Sequence, residues 1–187
     1  MGRQKAYCEE EVIEKAMAVF WKNGYEATSV RMLEKEMGIN QFSIYSSFGN
    51  KQGVFLESVK CYKKKLSCIT DKLKASRNGI VGIKEYFYDF QGFSKDSDLK
   101  KGCMVANTMS ETCEKSDPTI LGELMKFSNS LKDLFIENLA QETGKDAQDI
   151  ERQANYLMIS LQGLSQASRV YSQEQLEDFI ETTFSNL

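Results

Sequence analysis

Residues 28–51 read Thr28-Ser29-Val30-Arg31-Met32-Leu33-Glu34-Lys35-Glu36-Met37-Gly38-Ile39-Asn40-Gln41-Phe42-Ser43-Ile44-Tyr45-Ser46-Ser47-Phe48-Gly49-Asn50-Lys51. The stretch is punctuated like two short helices and the start of a third. Thr28 or Ser29 can N-cap the first, whose apolar side is Val30, Leu33 and Met37. Gly38 permits a left-handed turn, Ile39 plugs the angle between helices, and Asn40 caps the second. That second helix carries Phe42, Ile44, Tyr45 and Phe48 before Gly49-Asn50 closes it, with Asn50 able to cap the next helix. This is the sequence form of a helix-turn-helix.

Upstream, Val12, Ile13, Ala16, Val19 and Phe20 repeat with helical period. They predict a helix over roughly 9–22 that opens on Glu9, Glu10 and Glu11 and stops at Asn23-Gly24. Downstream, Phe55, Val59, Tyr62, Leu66, Ile69 and Leu73 mark a long helix crowded with lysines, which read as a solvated face. Further helices carry Ile83, Phe87 and Phe90, then a short apolar segment from Gly102 to Cys113. Asp117-Pro118 opens a helix reaching about Thr143-Gly144, since Asp caps and Pro suits the first helical position. Two more come after it, through Ile150 to Leu164 and through Leu176 to Phe184. The fold class is all-α, about nine helices, with residues 1–52 as one domain and 53–187 as a second.

Composition excludes several alternatives. The 187 residues hold 1 Pro and 12 Gly, too few turn residues for a β sandwich. His is absent, which removes the Ser-His-Asp triad, the Cys-His pair and the usual His-bearing zinc sites, so no catalytic residues, metal ligands or cofactor are expected. The five cysteines form no C-x-x-C pair, and their odd number suits a reducing cytoplasm. No apolar run approaches the ~20 residues of a membrane span, and no secretory signal is visible. The net charge of −3 gives no global basic field, and residues 1–51 balance seven Lys/Arg against seven Glu. DNA binding would therefore rest on where the charges sit.

Thr28 to Leu33, then Met37-Gly38-Ile39, then Ser43-Ile44-Tyr45 to Phe48-Gly49-Asn50-Lys51 resemble the DNA-binding domain of the TetR family of bacterial repressors over roughly residues 9–55. Two positions depart from the usual pattern: Glu34 stands where a small residue is common, and Phe42 where Gly or Pro is. The resemblance implies a double-stranded DNA operator read by the second helix of the pair. Asn40, Gln41 and Ser43 then offer donors and acceptors to bases, Gln41 can pair with adenine, and Phe42 can touch a thymine methyl. Tyr45, Ser47 and Lys51 are placed for phosphate, as are Thr28, Ser29 and Arg31 at the preceding helix start.

In that family the C-terminal half binds an effector and dimerises. Leu157, Leu161, Leu164 and Ser168, with Phe179 and Ile180, form the best interface pattern of a homodimer, and their other reading is intrasubunit packing. An effector pocket would draw on Tyr62, Leu66, Tyr86, Phe87, Phe90, Met104, Met109, Met125 and Phe127; a stripe of this kind reads equally as plain core. Few charges interrupt it, so the small-molecule effector is expected to be apolar. Gly102-Cys103-Met104-Val105-Ala106-Asn107 resembles a segment of a TetR-like subgroup thought to sense electrophiles or oxidants. Cys103 comes after Lys100-Lys101 at a helix start, which favours thiolate, and Cys113 would be its resolving partner; the other reading of Cys103 is a small buried hydrophobe.

The sequence thus points to a cytoplasmic, non-enzymatic transcriptional repressor released from a palindromic operator by a small ligand or by thiol modification. Two rivals stand beside it: a helical adaptor that has lost DNA binding, kept alive by Glu34 and Phe42, and a thiol-dependent enzyme, opposed by the absent His and C-x-x-C.

Overall fold

The structure, a computed structural model, describes residues 7–95, 102–111, 117–185 and 187. Among them the chain forms nine helices and no strand: α1 (Glu9–Asn23), α2 (Val30–Met37), α3 (Gln41–Phe48), α4 (Lys51–Ala75), α5 (Ile80–Lys95), α6 (Met104–Glu111), α7 (Pro118–Leu139), α8 (Ala147–Ala167) and α9 (Gln173–Ser185).

Local chemistry sets most of the boundaries. The Ser29 hydroxyl accepts from Met32 N–H, Asn40 from Ser43 N–H, and Asn50 from Gly53 N–H, so three successive helices open on side-chain caps. Gly38 has φ of 72° in the left-handed region and its N–H closes α2 on the Glu34 carbonyl. Asp117 caps α7 through Thr119 and Ile120, and Pro118 takes the first turn. That helix ends at Leu139, four or five residues before the Thr143-Gly144 signal, because 140–144 coil into turns bonded back to Ile136, Asn138 and Leu139.

Helices α1 to α3 form a head and α5 to α9 a body. The 25 residues of α4 belong to both, spanning roughly 37 Å at the helical rise. It packs on α1 and α3 of the head and on α5 and α7 of the body. A single buried cluster therefore runs from Val12 to Ile180 without a gap at the expected boundary near residue 52.

The body corrects one expectation. Leu157, Leu161, Leu164, Ser168 and Ile180 are buried within the subunit, so they are core and not an open dimer seam. Apolar positions on α8 form two stripes, and the one turned inward against α5 and α7 is Ala154, Leu157, Leu161 and Leu164. The outward stripe holds Tyr156 and Ile159, the latter 72% exposed, and Val170, Tyr171 and Phe179 continue the exposed apolar surface.

Leu157→Ala should cost about 2–5 kcal/mol in denaturant unfolding, as deletions in closed cores do. Met125→Ala, at a 43% exposed site on α7, should stay within about 0.5 kcal/mol. Equal losses at the two positions would contradict the burial described.

Candidate nucleic-acid interface and effector cavity

Helix α3 buries only Ile44. Gln41, Phe42, Tyr45 and Ser46 are exposed, Phe42 to 83%. An aromatic ring so far out of the core contributes nothing to folding and presents an apolar edge to solvent. Tyr45 is likewise no core aromatic, being 39% exposed. Glu34, the departure in α2, finds a partner across the turn: its carboxylate accepts from the Gln41 backbone N–H at the start of α3. An acid here thus clamps the two helices of the motif and satisfies an orphan donor.

Several predicted contacts are already occupied. Thr28 is buried and its hydroxyl donates to the Gly24 carbonyl at 2.6 Å. It therefore cannot reach phosphate, contrary to the sequence reading; its task is to close the α1–α2 loop. Ser47 shares a hydrogen bond with the Tyr7 hydroxyl, 2.7 Å away, and the same hydroxyl lies 3.3 Å from the Ser43 carbonyl. Tyr7 thus fastens the N-terminal segment to α3, a role that no local sequence signal marks. Asn40 spends its side-chain oxygen on the cap. Ser29, whose hydroxyl oxygen caps α2, and Arg31 stay exposed beside the open N-terminus of α2. Lys51 is not a freely solvated lysine. Its ammonium sits 4.4 Å from the centre of the Tyr25 ring and 3.4 Å from the Glu26 carbonyl. Partial burial lowers its pKa, while the carboxylates of Glu26 and Glu111 push the other way.

The loop beneath this surface is tied to α6. The Glu111 carboxylate accepts from Glu26 N–H at 3.2 Å and lies against Gly24. Gly24 has φ of 81°, a conformation that strains any other residue, and a Cβ there would also push aside the Glu111 carboxylate, whose oxygen it would meet at 1.8 Å. At the other end of α6, the Trp21 indole N–H donates to the Gly102 carbonyl at 2.9 Å, in the buried interior. Trp21 also packs edge-on against Tyr62 and stacks on Phe93.

A cavity of about 70 Å³ lies on the body side of α6. Leu66, Tyr86, Phe90, Met109 and Phe127 line it, together with Cys103, Val105, Ala106, Ser128, Leu131, Met158, Leu161, Gln162 and Ser165. Four of the pocket residues expected from sequence do not. Tyr62, Phe87 and Met104 are core residues behind the wall, and Met125 faces solvent. Leu161, expected at an interface, forms part of the wall instead. Gln162 and Ser165 went unread because polar residues within a helical apolar repeat look like its solvent side.

Cys103 departs furthest from expectation. It is buried, and burial pushes its thiol pKa up, outweighing the Tyr62 hydroxyl and the helix-start N–H groups of Val105 and Ala106 that favour thiolate. The thiolate anticipated at this helix start is therefore suppressed. Its N–H is held by Ser165 Oγ at 2.8 Å and its sulfur accepts from Tyr62 Oη at 3.3 Å. Lys100, Lys101 and Cys113, invoked in the sensor reading, lie outside the described residues.

Comparison with known proteins fits this geometry. The family model described as bacterial regulatory proteins, tetR family, matches residues 12–58, the head and the start of α4. A triple cysteine mutant of the TetR family transcriptional regulator CifR, solved in complex with 26-bp double-strand operator DNA, superposes with a TM-score of 0.86. It is 26% identical, with 98% of each chain covered. The chain belongs to the TetR family. Among curated relatives, the HTH-type transcriptional regulator YezE of Bacillus subtilis (strain 168) is 29% identical over the whole of both chains. The HTH-type transcriptional repressor ComR of Escherichia coli (strain K12) is 25% identical over 90% of this chain and 82% of its own. Among the described residues of this TetR-family chain, no helix is long and apolar enough to cross a membrane, and no cluster of His, Cys, Asp and Glu could hold a metal ion.

Timed alkylation with peptide mapping should label the exposed Cys8 and Cys68 first and Cys103 last. Labelling of Cys103 ahead of Cys8 would mean that the thiol is more accessible than its packing allows.

Proposed function

We propose that this TetR-family regulator is a homodimeric transcriptional repressor whose α3 helices enter successive major grooves of a palindromic operator. The observation that carries the reading is the outer face of α3, where Gln41, Phe42 and Tyr45 are presented to solvent outside the buried core. Gln41 suits an adenine edge and Phe42 a thymine methyl. The α2 N-terminus with Arg31, and Lys51 at the start of α4, suit the flanking phosphates. In this reading residues 1–52 are the reading head and 53–187 the effector and dimerisation part. That the related CifR was solved on operator DNA and that ComR is described as a repressor support it.

The dimer surface in this reading is the exposed apolar stripe of Tyr156, Ile159, Val170, Tyr171 and Phe179, with Gly163 small enough for close helix approach. A two-fold axis there would hold two heads about one DNA turn, or roughly 34 Å, apart. The effector site is the cavity beside α6. A ligand entering it displaces α6, which bears on the head through Gly102–Trp21 at one end and Glu111–Glu26 at the other. Of the two release triggers expected from sequence, the buried, protonated Cys103 favours ligand binding over thiol chemistry. Release needs a coupling of about 1–3 kcal/mol between the two sites.

Fluorescence anisotropy with a fragment from upstream of the protein's own gene tests DNA binding. Arg31→Ala should weaken binding and lower the salt slope by about one. Thr28→Val should lower thermal stability and leave the slope alone. An unchanged slope for Arg31→Ala would remove the phosphate assignment. For the interface, Ile159→Glu should sediment as a monomer, because an unpaired charge cannot be buried there without large cost. A persistent dimer would place the two-fold contact elsewhere.

A further inference from the structure

The cavity beside α6 carries hydrogen-bond donors with no acceptor. Tyr86 is 2% exposed, its ring fixed by Phe90 and Phe135, and its hydroxyl has no hydrogen-bond partner. Burial keeps that phenol protonated. Nearby, Tyr62 spends its proton on the Cys103 sulfur, so the thiol proton must look elsewhere. No acceptor for it is found among the described residues. Burial keeps this group protonated too. A phenol O–H and a thiol S–H thus lie in the same cavity wall, neither with an acceptor among the described residues. An unsatisfied buried donor costs free energy in the unliganded fold, and a ligand that supplies its acceptor recovers it.

The remaining wall sets the rest of the chemistry. Leu66, Phe90, Met109, Phe127 and Leu131 are apolar. Among the described residues, no Lys or Arg lines the cavity to neutralise a carboxylate or phosphate, and no Asp or Glu lines it to hold an amine. Against these walls an ionised ligand would be desolvated with no counter-charge, which favours a neutral one. The volume of about 70 Å³ restricts the occupant to a small molecule.

Resting on the reading of this cavity as the effector site, we propose that the effector is a small neutral organic molecule with an apolar body and one carbonyl-type acceptor oxygen, bound non-covalently with that oxygen between Tyr86 Oη and Cys103 Sγ. A carbonyl oxygen has two lone pairs, enough for both donors. The apolar body lies against Phe90, Phe127 and Leu131. Tyr86 acts as the specificity-determining residue, because a ligand of equal shape lacking the oxygen leaves the phenol unsatisfied.

The test pairs cyclobutanone, small enough for the cavity, with methylenecyclobutane, which replaces the carbonyl oxygen by a CH₂ group at nearly the same shape. Binding is followed by calorimetry and by the fluorescence of Trp21, the one tryptophan in the chain, which touches Tyr62 next to the cavity. Cyclobutanone should bind wild type at least tenfold more tightly than the olefin. In Tyr86→Phe that preference should fall to about threefold or less. The unliganded Tyr86→Phe protein should melt no lower than wild type, since the substitution removes an unsatisfied hydroxyl and keeps the packed ring. Equal binding of ketone and olefin to wild type, no binding of either, or a clear drop in the melting temperature of Tyr86→Phe would each overturn the proposal. Operator affinity is measured separately on the same samples. Tyr86-dependent ketone binding with operator affinity unchanged would uphold the ligand chemistry and remove the effector role instead.

Discussion

A buried indole N–H must have an acceptor, and Trp21 finds one far along the chain at the carbonyl of Gly102. Much of the architecture depends on that bond. It brings the end of α1 against the start of α6, and so sets Cys103 against Ser165 of α8. The Trp21 ring then packs with Tyr62 and Phe93, which belong to α4 and α5. Head and body are thereby held in one core without a linker between them. Helix α4 supplies the stiffness and this junction supplies the fixed angle.

The other end of α6 meets the head in a different way. Glu111 reaches the α1–α2 loop through a backbone N–H and occupies the space that Gly24 leaves open. Lys51 rests on Tyr25 in the same loop. The loop leads directly into the Ser29 cap of α2, so a small helix of eight residues touches the head at two points. Apolar packing at one end and a carboxylate at the other make these contacts unequal. The buried indole bond is shielded from solvent, whereas the Glu111 contact is exposed and the easier of the two to exchange with water.

Surface and interior divide the polar groups by the same logic. Glu34, an acid in a position that suits a small residue, is accommodated because α3 offers it an unpaired N–H. Thr28, in contrast, loses its hydroxyl to the interior because Gly24 presents a carbonyl 2.6 Å away. The exposed ring of Phe42 and the outward side chains of Tyr156, Ile159, Val170, Tyr171 and Phe179 are among the large apolar groups that folding leaves uncovered.

The features legible in the chain alone are local ones. Side-chain caps at Ser29, Asn40, Asn50 and Asp117, together with Gly38, act within four residues, so the helices and the helix-turn-helix could be read directly from the residues. The order of these elements was enough to suggest the family. Which of two apolar stripes on α8 turns inward was not legible, since a 3.6-residue period is satisfied by either until α5 and α7 are in place. The fate of Thr28 and the position of Lys51 depend on partners brought near by a loop. The protonation of Cys103 is the sharpest case. Its helix-start position argued for thiolate, but desolvation is a property of the whole surrounding core, and it took the assembled helices to make burial outweigh the local N–H groups.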